Sequence, residues 1–442
     1  MRSASDCIRV EDDAWIIRGP VRVHGKLEPP GDKSLAHRAL ILAALATGPS
    51  SLRSLSAAED VERTLSALIQ LGVDAERSSS AVDIRGAGLH GLRAAGAALD
   101  CGNSGTTMRL LCGVLAARSF ASQLVGDASL SRRPMRRVAA PLRDMGAVIE
   151  CMGHEERPPV HLAAGLGLRG MTHTLTVDSA QVRSALLLAG LRAQGMTRIE
   201  PAGVARDHTE RMLRALGLRC DTGADGLVLE PPEHDWSGFE FDLPGDPSAV
   251  AFFAAWAMAP GGGEFRAERV ALNPGRVRYL ELLRHAGAET TIQSERTDLG
   301  EPVGSIEIKG ALEADVEIRG ADSVQCIDEI PALIAAAAVS GVGAIVHDAS
   351  ELRVKETDRI ANLVQLLRAF GAQADTTSDG LQLAPGAALH PAEARSDGDH
   401  RIAMAGAILA AAVRGTSRIT STRCVRTSYP EFARDFARLA RD

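Results

Sequence analysis

GDKSLAHRALILAALA, residues 31–46, decides how this chain folds. A short turn through Gly31, Asp32, Lys33 and Ser34 opens a run that is apolar almost all round. A surface helix shows one apolar stripe, whereas a helix without a polar face is buried. The same form recurs as GNSGTTMRLLCGVLA (102–116), SAQVRSALLLAGL (179–191), GDPSAVAFFAAWAMA (245–259), DEIPALIAAAAVS (328–340) and DHRIAMAGAILAAA (399–412). Six copies of one pattern mark a supersecondary unit used repeatedly.

Each run leads into a small-residue turn, a short strand-like stretch and a second helix. In the first repeat that helix, DVERTLSALIQLG (60–72), predicts an apolar stripe of Val61, Leu65, Leu68 and Ile69. Five of the second helices stop at Gly72, Gly146, Gly217, Gly287 and Gly371, and the sixth runs to the C-terminus. Alternating stretches such as AVDIRG and SIEIKG read as strands. The repeat is therefore β-α-β-α-β-β, and the class is α/β (α+β) with six buried helices inside and sheets outside.

At 442 residues the chain has room for two or three domains. Hydrophobic residues at 45% and charged residues at 24% describe a globular protein and exclude disorder or collagen-like structure. A net charge of −7 speaks against nucleic-acid binding. With aromatics at only 3%, the core must be built from Ala, Leu, Val, Ile and Gly, which let helices pack closely. The seven cysteines (7, 101, 112, 151, 220, 326 and 424) lack C-x-x-C or zinc spacing and read as reduced thiols. The N-terminus lacks the apolar region of a signal peptide, and the longest apolar run, Ala249–Ala259, is too short to span a bilayer. A cytoplasmic protein without a membrane partner is expected. Among 49 basic residues only Lys26, Lys33, Lys309 and Lys355 are lysine, so each is a candidate for a role arginine cannot fill.

Every buried helix opens with Gly, Ser, Asn or Asp, where free backbone N–H groups and the positive dipole end make an anion site. Lys33, Ser34 and Arg38 gather at the first start; Asn103, Gly105, Thr106 and Arg109 at the second; Asp328 and Glu329 at the fifth; Asp399, His400 and Arg401 at the sixth. Ser131-Arg132-Arg133-Pro134 precedes another helix. Arg206-Asp207-His208-Thr209-Glu210 has a capping-box pattern at Asp207 and Glu210, which leaves Arg206 for an anion. The run Glu351–Arg359 carries six charges in nine residues; such a run is most often a solvated face, but Glu356 beside Lys355 and Arg359 also fits a tuned acid or base. GAGLHG (86–91) imitates a dinucleotide fingerprint without the following helix or acidic residue. GDKS has Asp32 where a P-loop needs glycine, and no metal constellation or nucleophile elbow is present. At least six cations and two or three carboxylates at equivalent places in a repeat describe a site for two phosphorylated, carboxylated small molecules with proton-transfer groups between them.

PGDKSLAHR, GNSGTTMR, RRPM, SAQVRSALL, RDHTERM, IDEIP, ELRVKETDR and DHRIAM together resemble the 5-enolpyruvylshikimate-3-phosphate synthase family of enolpyruvyl transferases, from about Val23 to Glu431. The resemblance implies a two-domain inside-out α/β barrel of six repeats, joined by two chain crossings. One domain is expected at 31–245 and the other at 1–30 plus 246–442, with the active site in the cleft between them. It implies transfer of the enolpyruvyl group of phosphoenolpyruvate to the 5-hydroxyl of shikimate 3-phosphate by a monomer that uses no cofactor or metal. By motif position, shikimate 3-phosphate falls to Lys33, Ser34, Arg38, Ser179, Ala180, Gln181, Arg206, Asp328 and Lys355. Phosphoenolpyruvate falls to Lys33, Gly105, Thr106, Arg133, Gln181, Arg359, His400 and Arg401. Proton transfer falls to Lys33, Asp328 and Glu356. Lys33 and Lys355, one from each domain, should meet only on closure.

Ala205 stands where many relatives carry Ser or Thr, Glu351 where some have Asn, and Thr427 where others place a lysine. On the inhibitor glyphosate the markers point both ways: SAQ, RDHTE and GDK are similar to the tolerant subgroup, Gly275 and Gly105 are not. The related UDP-N-acetylglucosamine enolpyruvyl transferases differ in having a Lys-Asn pair where Lys33-Ser34 stands and a reactive loop cysteine. RNA 3′-terminal phosphate cyclases differ in a nucleotidyl-transfer histidine motif. A non-catalytic phosphate-binding paralogue is expected to have lost Lys33, Asp328 or Glu356, and all three are present.

Overall fold

In a computed structural model of the chain, residues 7–78, 81–223 and 226–441 are described. Two compact units form. One, here the inserted unit, comprises Gly31–Leu243 and Thr297–Glu301; the other, the discontinuous unit, comprises Met1–Pro30, Pro244–Arg296 and Pro302–Asp442. The chain thus passes between units at four points, two of them flanking the five-residue segment Thr297–Glu301.

The apolar runs are helices, three per unit. Lys33–Leu45, Gly105–Leu115 and Ala180–Gly190 lie in the inserted unit, and Pro247–Ala257, Ile330–Ser340 and His400–Ala412 in the discontinuous one. From Leu35 to Leu45 every residue of the first is buried, as a helix without a polar face requires. The second helices are half-exposed, and their stop glycines 72, 146, 217, 287 and 371 all adopt the left-handed conformation that closes a helix.

The strands repeat one plan. In Val316–Ile318, Ala344–Val346, Leu381–Leu383 and Ala374–Thr376 the first pair is parallel and the other two are antiparallel, in that spatial order. Thr172–Thr174, Thr197–Glu200, Gly226–Leu229 and Cys220–Gly223 follow it too. Several sheets are completed by distant segments. Glu240–Asp242 supplies the parallel edge to Thr47–Arg53 of the first repeat. The sixth repeat does not end with the C-terminal helix, because the N-terminal hairpin Ile8–Glu11 and Ala14–Gly19 adds its last two strands against Gly415–Thr420. As the alternation predicts, Val82 and Ile84 are buried between exposed Asp83 and Arg85.

The second helix of the first repeat corrects one reading. Ile69 is 46% exposed, and the buried face of Glu59–Gln70 is Asp60, Val61, Thr64, Leu65, Ala67 and Leu68. Asp60 and Thr64 have polar partners inside the unit, so the face rotates toward them and Ile69 turns out. GAGLHG is followed by no helix. Aromatic rings, scarce overall, concentrate in the discontinuous unit, where Trp256 stacks on Phe436 at 4.2 Å and Trp15 on Phe432 at 5.2 Å. None of the seven cysteines is in a disulfide.

The inner helices of the inserted unit touch through small residues. A Cβ on Gly113 would lie 2.1 Å from the backbone oxygen of Ala185 on the facing helix. Gly113→Ala is therefore expected to lower the melting temperature. The overpacking cost of about 1–3 kcal/mol exceeds the roughly 1 kcal/mol that alanine gains over glycine in a helix. A melt unchanged or raised would show that the two helices are not in close contact.

Candidate active site

In the inserted unit Asp32 caps the first inner helix by accepting from the Leu35 N–H at 2.8 Å. This places Lys33 on the first turn, where its Nζ donates to Asp60 Oδ2 at 2.9 Å with both side chains largely buried. One turn further in, His37 Nδ1 meets Thr64 Oγ1 at 2.7 Å, and Thr64 meets Thr107 Oγ1 at 2.7 Å. Burial, reinforced by the charges of Lys33 and Arg38, holds His37 well below the usual imidazole range, so it is neutral. Thr107 Oγ1 also donates to Ser104 Oγ at 2.7 Å, and Ser104 caps the helix Gly105–Leu115. A continuous chain of hydroxyls thus runs from beneath Lys33 to the start of the second inner helix.

Gly105 opens that helix, and a Cβ there would lie 2.7 Å from Arg109 Nη1 and 3.3 Å from Arg133 Nη1. Glycine lets two guanidiniums crowd the helix start. Arg133 donates to Asn103 Oδ1 at 2.6 Å and is only 6% exposed, so the adjacent-arginine turn is not simply solvated. Gln181 accepts from Arg109 at 2.7 Å and donates to Thr106 Oγ1 at 2.9 Å, joining the second and third helix starts. Arg38 reaches across as well, donating to Thr209 Oγ1, Ser34 O and Ser184 Oγ, each at 2.8 Å. Ser34, Ser179, Ala180 and Arg206 remain partly exposed, and Ser179 starts its helix without a side-chain cap.

The capping box at 207–210 does not form. Asp207 makes no cap hydrogen bond and accepts instead from Arg211 Nε at 2.8 Å. Glu210 is drawn away by Arg183 at 2.7 Å, both side chains being 3% exposed. Arg183 also donates to the carbonyls of Ala202, Ala205 and Arg206, so a buried ion pair clamps the loop that carries Arg206.

In the discontinuous unit Asp328 lies among three cations. Its Oδ1 is 3.5 Å from Arg359 Nη1, 3.7 Å from Arg401 Nε and 3.9 Å from Lys355 Nζ. Arg359, 1% exposed, donates to Asp399 Oδ2 at 2.8 Å and pairs with Glu356. Burial disfavours the charge on Arg359, but Asp399, Glu356 and Asp328 outweigh it and hold its pKa above the ordinary value. For Lys355 burial prevails, with the charge of Arg359 acting the same way against the pull of Asp328, and its pKa is lowered. Asp399 caps the sixth inner helix by accepting from the Arg401 N–H at 2.9 Å, with His400 buried beside it. The charge run is thus no solvated face, since its last arginine is buried.

Each unit brings its own share of the sequence-derived residues together: Lys33, Arg38, Gly105, Thr106, Arg133 and Gln181 in one; Asp328, Lys355, Glu356, Arg359 and Arg401 in the other. Sequence reading gave no role to Asp60, Thr64, Ser184 and Thr209, which hold these residues, and it placed Asp399 at a helix start without its buried pairing to Arg359. Asp60 and Thr64 had a signal, being polar at positions i and i+4 of a stripe that otherwise faces the core. The arrangement offers guanidiniums for two-pronged recognition of carboxylate or phosphate, an ammonium able to give up a proton, and carboxylates set beside cations.

Comparison with known proteins gives one answer. The family model described as EPSP synthase (3-phosphoshikimate 1-carboxyvinyltransferase) matches residues 17–436. A 3-phosphoshikimate 1-carboxyvinyltransferase of Herpetosiphon aurantiacus is 41% identical over 420 residues, covering 95% of this chain and 97% of that protein. One from Geobacter sulfurreducens is 40% identical over 410 residues, covering 93% and 95%. The solved EPSP synthase of Acinetobacter baumannii superposes with a TM-score of 0.84 at 39% identity, covering 97% of this chain and 98% of that one. With the family model spanning nearly the whole chain and the repeat fold matching throughout, the chain belongs to the EPSP synthase family.

Proposed function

We infer that this enzyme transfers the enolpyruvyl group of phosphoenolpyruvate to the 5-hydroxyl of shikimate 3-phosphate, giving 5-enolpyruvylshikimate 3-phosphate and phosphate on the way to aromatic amino acids. The observation that carries the reading is the family match over residues 17–436. The substrates' chemistry fits the residues. Both are anions with carboxylate and phosphate groups, which arginine forks recognise.

The reaction makes three proton demands. The 5-hydroxyl loses a proton as its oxygen attacks C2, the C3 methylene gains one, and C3 then loses one as phosphate departs. We assign the donor to Lys33, whose ammonium can release a proton as a guanidinium essentially cannot. Asp328 and Glu356 are the bases; both lie against the Arg359 guanidinium. Arg38, Ser179, Gln181 and Arg206 take shikimate 3-phosphate together with Lys355, and Arg133, Arg359 and Arg401 take phosphoenolpyruvate. The reading extends to a monomeric, cytoplasmic enzyme without metal or organic cofactor; cysteines outside any disulfide fit a reducing compartment, and no helix among the described residues is long and apolar enough to cross a membrane.

The test is phosphate release from the purified protein. Release that needs both phosphoenolpyruvate and shikimate 3-phosphate is expected, and none when UDP-N-acetylglucosamine replaces the acceptor. Absence of release with the two proposed substrates would sink the reading.

A further inference from the structure

A long hairpin, Glu289–Asp298 and Glu301–Lys309, forms the edge of the five-stranded sheet in the discontinuous unit. Its turn is two residues, Leu299 and Gly300, both at positive φ, so Glu301 follows immediately on the returning strand. The outgoing strand is almost wholly exposed, yet Glu301 is fully buried. The tip, Thr297–Glu301, belongs to the inserted unit. There Glu301 Oε1 accepts from His208 Nδ1 at 2.7 Å, with neither side chain exposed. A Cβ on Gly300 would lie 2.6 Å from the Arg211 carbonyl oxygen, so the tip sits directly on the helix His208–Ala215. A buried carboxylate needs hydrogen-bond partners, and His208 supplies one to Glu301.

The next two residues of that helix serve the anion-binding groups. Thr209 Oγ1 accepts from Arg38 Nε at 2.8 Å. Glu210 pairs with Arg183, which clamps the carbonyls of Ala202, Ala205 and Arg206. Three consecutive residues thus bind the hairpin tip, one proposed phosphate ligand and the clamp on another. We propose that Glu301 is a positioning residue for shikimate 3-phosphate: through His208 it fixes the first turn of this helix, and through Thr209 and Glu210 it sets Arg38 and Arg206. Glu301, His208, Arg38 and Arg206 all belong to the inserted unit, so the effect runs within that unit. The inference rests on the functional reading above.

Steady-state kinetics for each substrate and calorimetric binding of shikimate 3-phosphate to the full chain test it. Glu301→Ala is expected to raise KM and Kd for shikimate 3-phosphate about tenfold, with kcat and the KM for phosphoenolpyruvate within about twofold, the pattern of lost ground-state binding. Glu301→Gln, whose amide oxygen still accepts from Nδ1–H, should restore most of the affinity. If the alanine variant does not fold, Glu301→Asp, which keeps the charge but draws the carboxylate back by one methylene, should show the same selective rise. Unchanged affinity for shikimate 3-phosphate in a folded variant, or an equal rise in both KM values, overturns the proposal. A wild-type chain that binds shikimate 3-phosphate but releases no phosphate would count against the functional reading, and the Kd comparison alone would then decide this one.

Discussion

Lys33→Met should lower kcat for phosphate release by about 10²–10⁴-fold, the usual contribution of a positioned proton-transfer group. The expectation starts from local geometry. Asp32 caps the first inner helix, and this aims the Lys33 side chain at Asp60, 2.9 Å away. Methionine keeps most of the apolar stem and removes only the ammonium, so the buried helix behind it should fold unchanged. Lys33→Arg separates charge from proton transfer. A guanidinium can keep the pairing with Asp60 and the attraction for anions, but it does not give up a proton near neutral pH. Arginine should therefore leave substrate KM values closer to wild type than methionine does while kcat stays low. Glu356→Gln should also lose turnover, since an amide cannot take a proton. Near-normal kcat in the methionine or glutamine variant would falsify the assignment of that residue.

The parts of this enzyme that the sequence discloses are those governed by local periodicity. Ile330–Ser340 is apolar on every side, so no reading other than burial is available, and the left-handed glycines after the second helices are local stop signals. Clusters at the helix starts were legible for the same reason: Lys33, Ser34 and Arg38 lie within two turns of one cap. What stayed hidden depends on partners far away in the chain. Nothing near Ile69 announces that Lys33 and His37 will hold Asp60 and Thr64 inward and so turn Ile69 to solvent. The capping-box pattern at 207–210 was locally sound, but a buried arginine 27 positions earlier in the chain competes for Glu210 and prevails. A guanidinium–carboxylate bond in a buried site is worth more than a helix cap at a half-exposed end. Glu301 follows an exposed edge strand across a two-residue turn, and its role follows only from where that turn lands.

Arg359→Met should destabilise the discontinuous unit by about 3–5 kcal/mol, the cost of removing one partner from a buried ion pair. Arg359 is 1% exposed, and Asp399, its partner at 2.8 Å, is fully buried. With the guanidinium gone, Asp399 keeps the Arg401 N–H and a distant Thr357 hydroxyl but loses its charge partner. Asp399→Asn, placed in the methionine variant, removes the stranded charge and still leaves an oxygen to cap the helix at Arg401. The double variant should therefore recover about 1–3 kcal/mol relative to the sum of the single effects, as expected for residues in direct contact. Urea unfolding of all four proteins measures this. Turnover should not recover with stability, because the same guanidinium also holds Glu356 and faces Asp328 at 3.5 Å. A double variant that is stable but inactive would show that Arg359 does two separable things: it neutralises the buried cap, and it orders the carboxylates assigned to proton transfer. Strict additivity of the two stability changes would mean that Asp399 and Arg359 do not depend on each other, against the geometry that joins them.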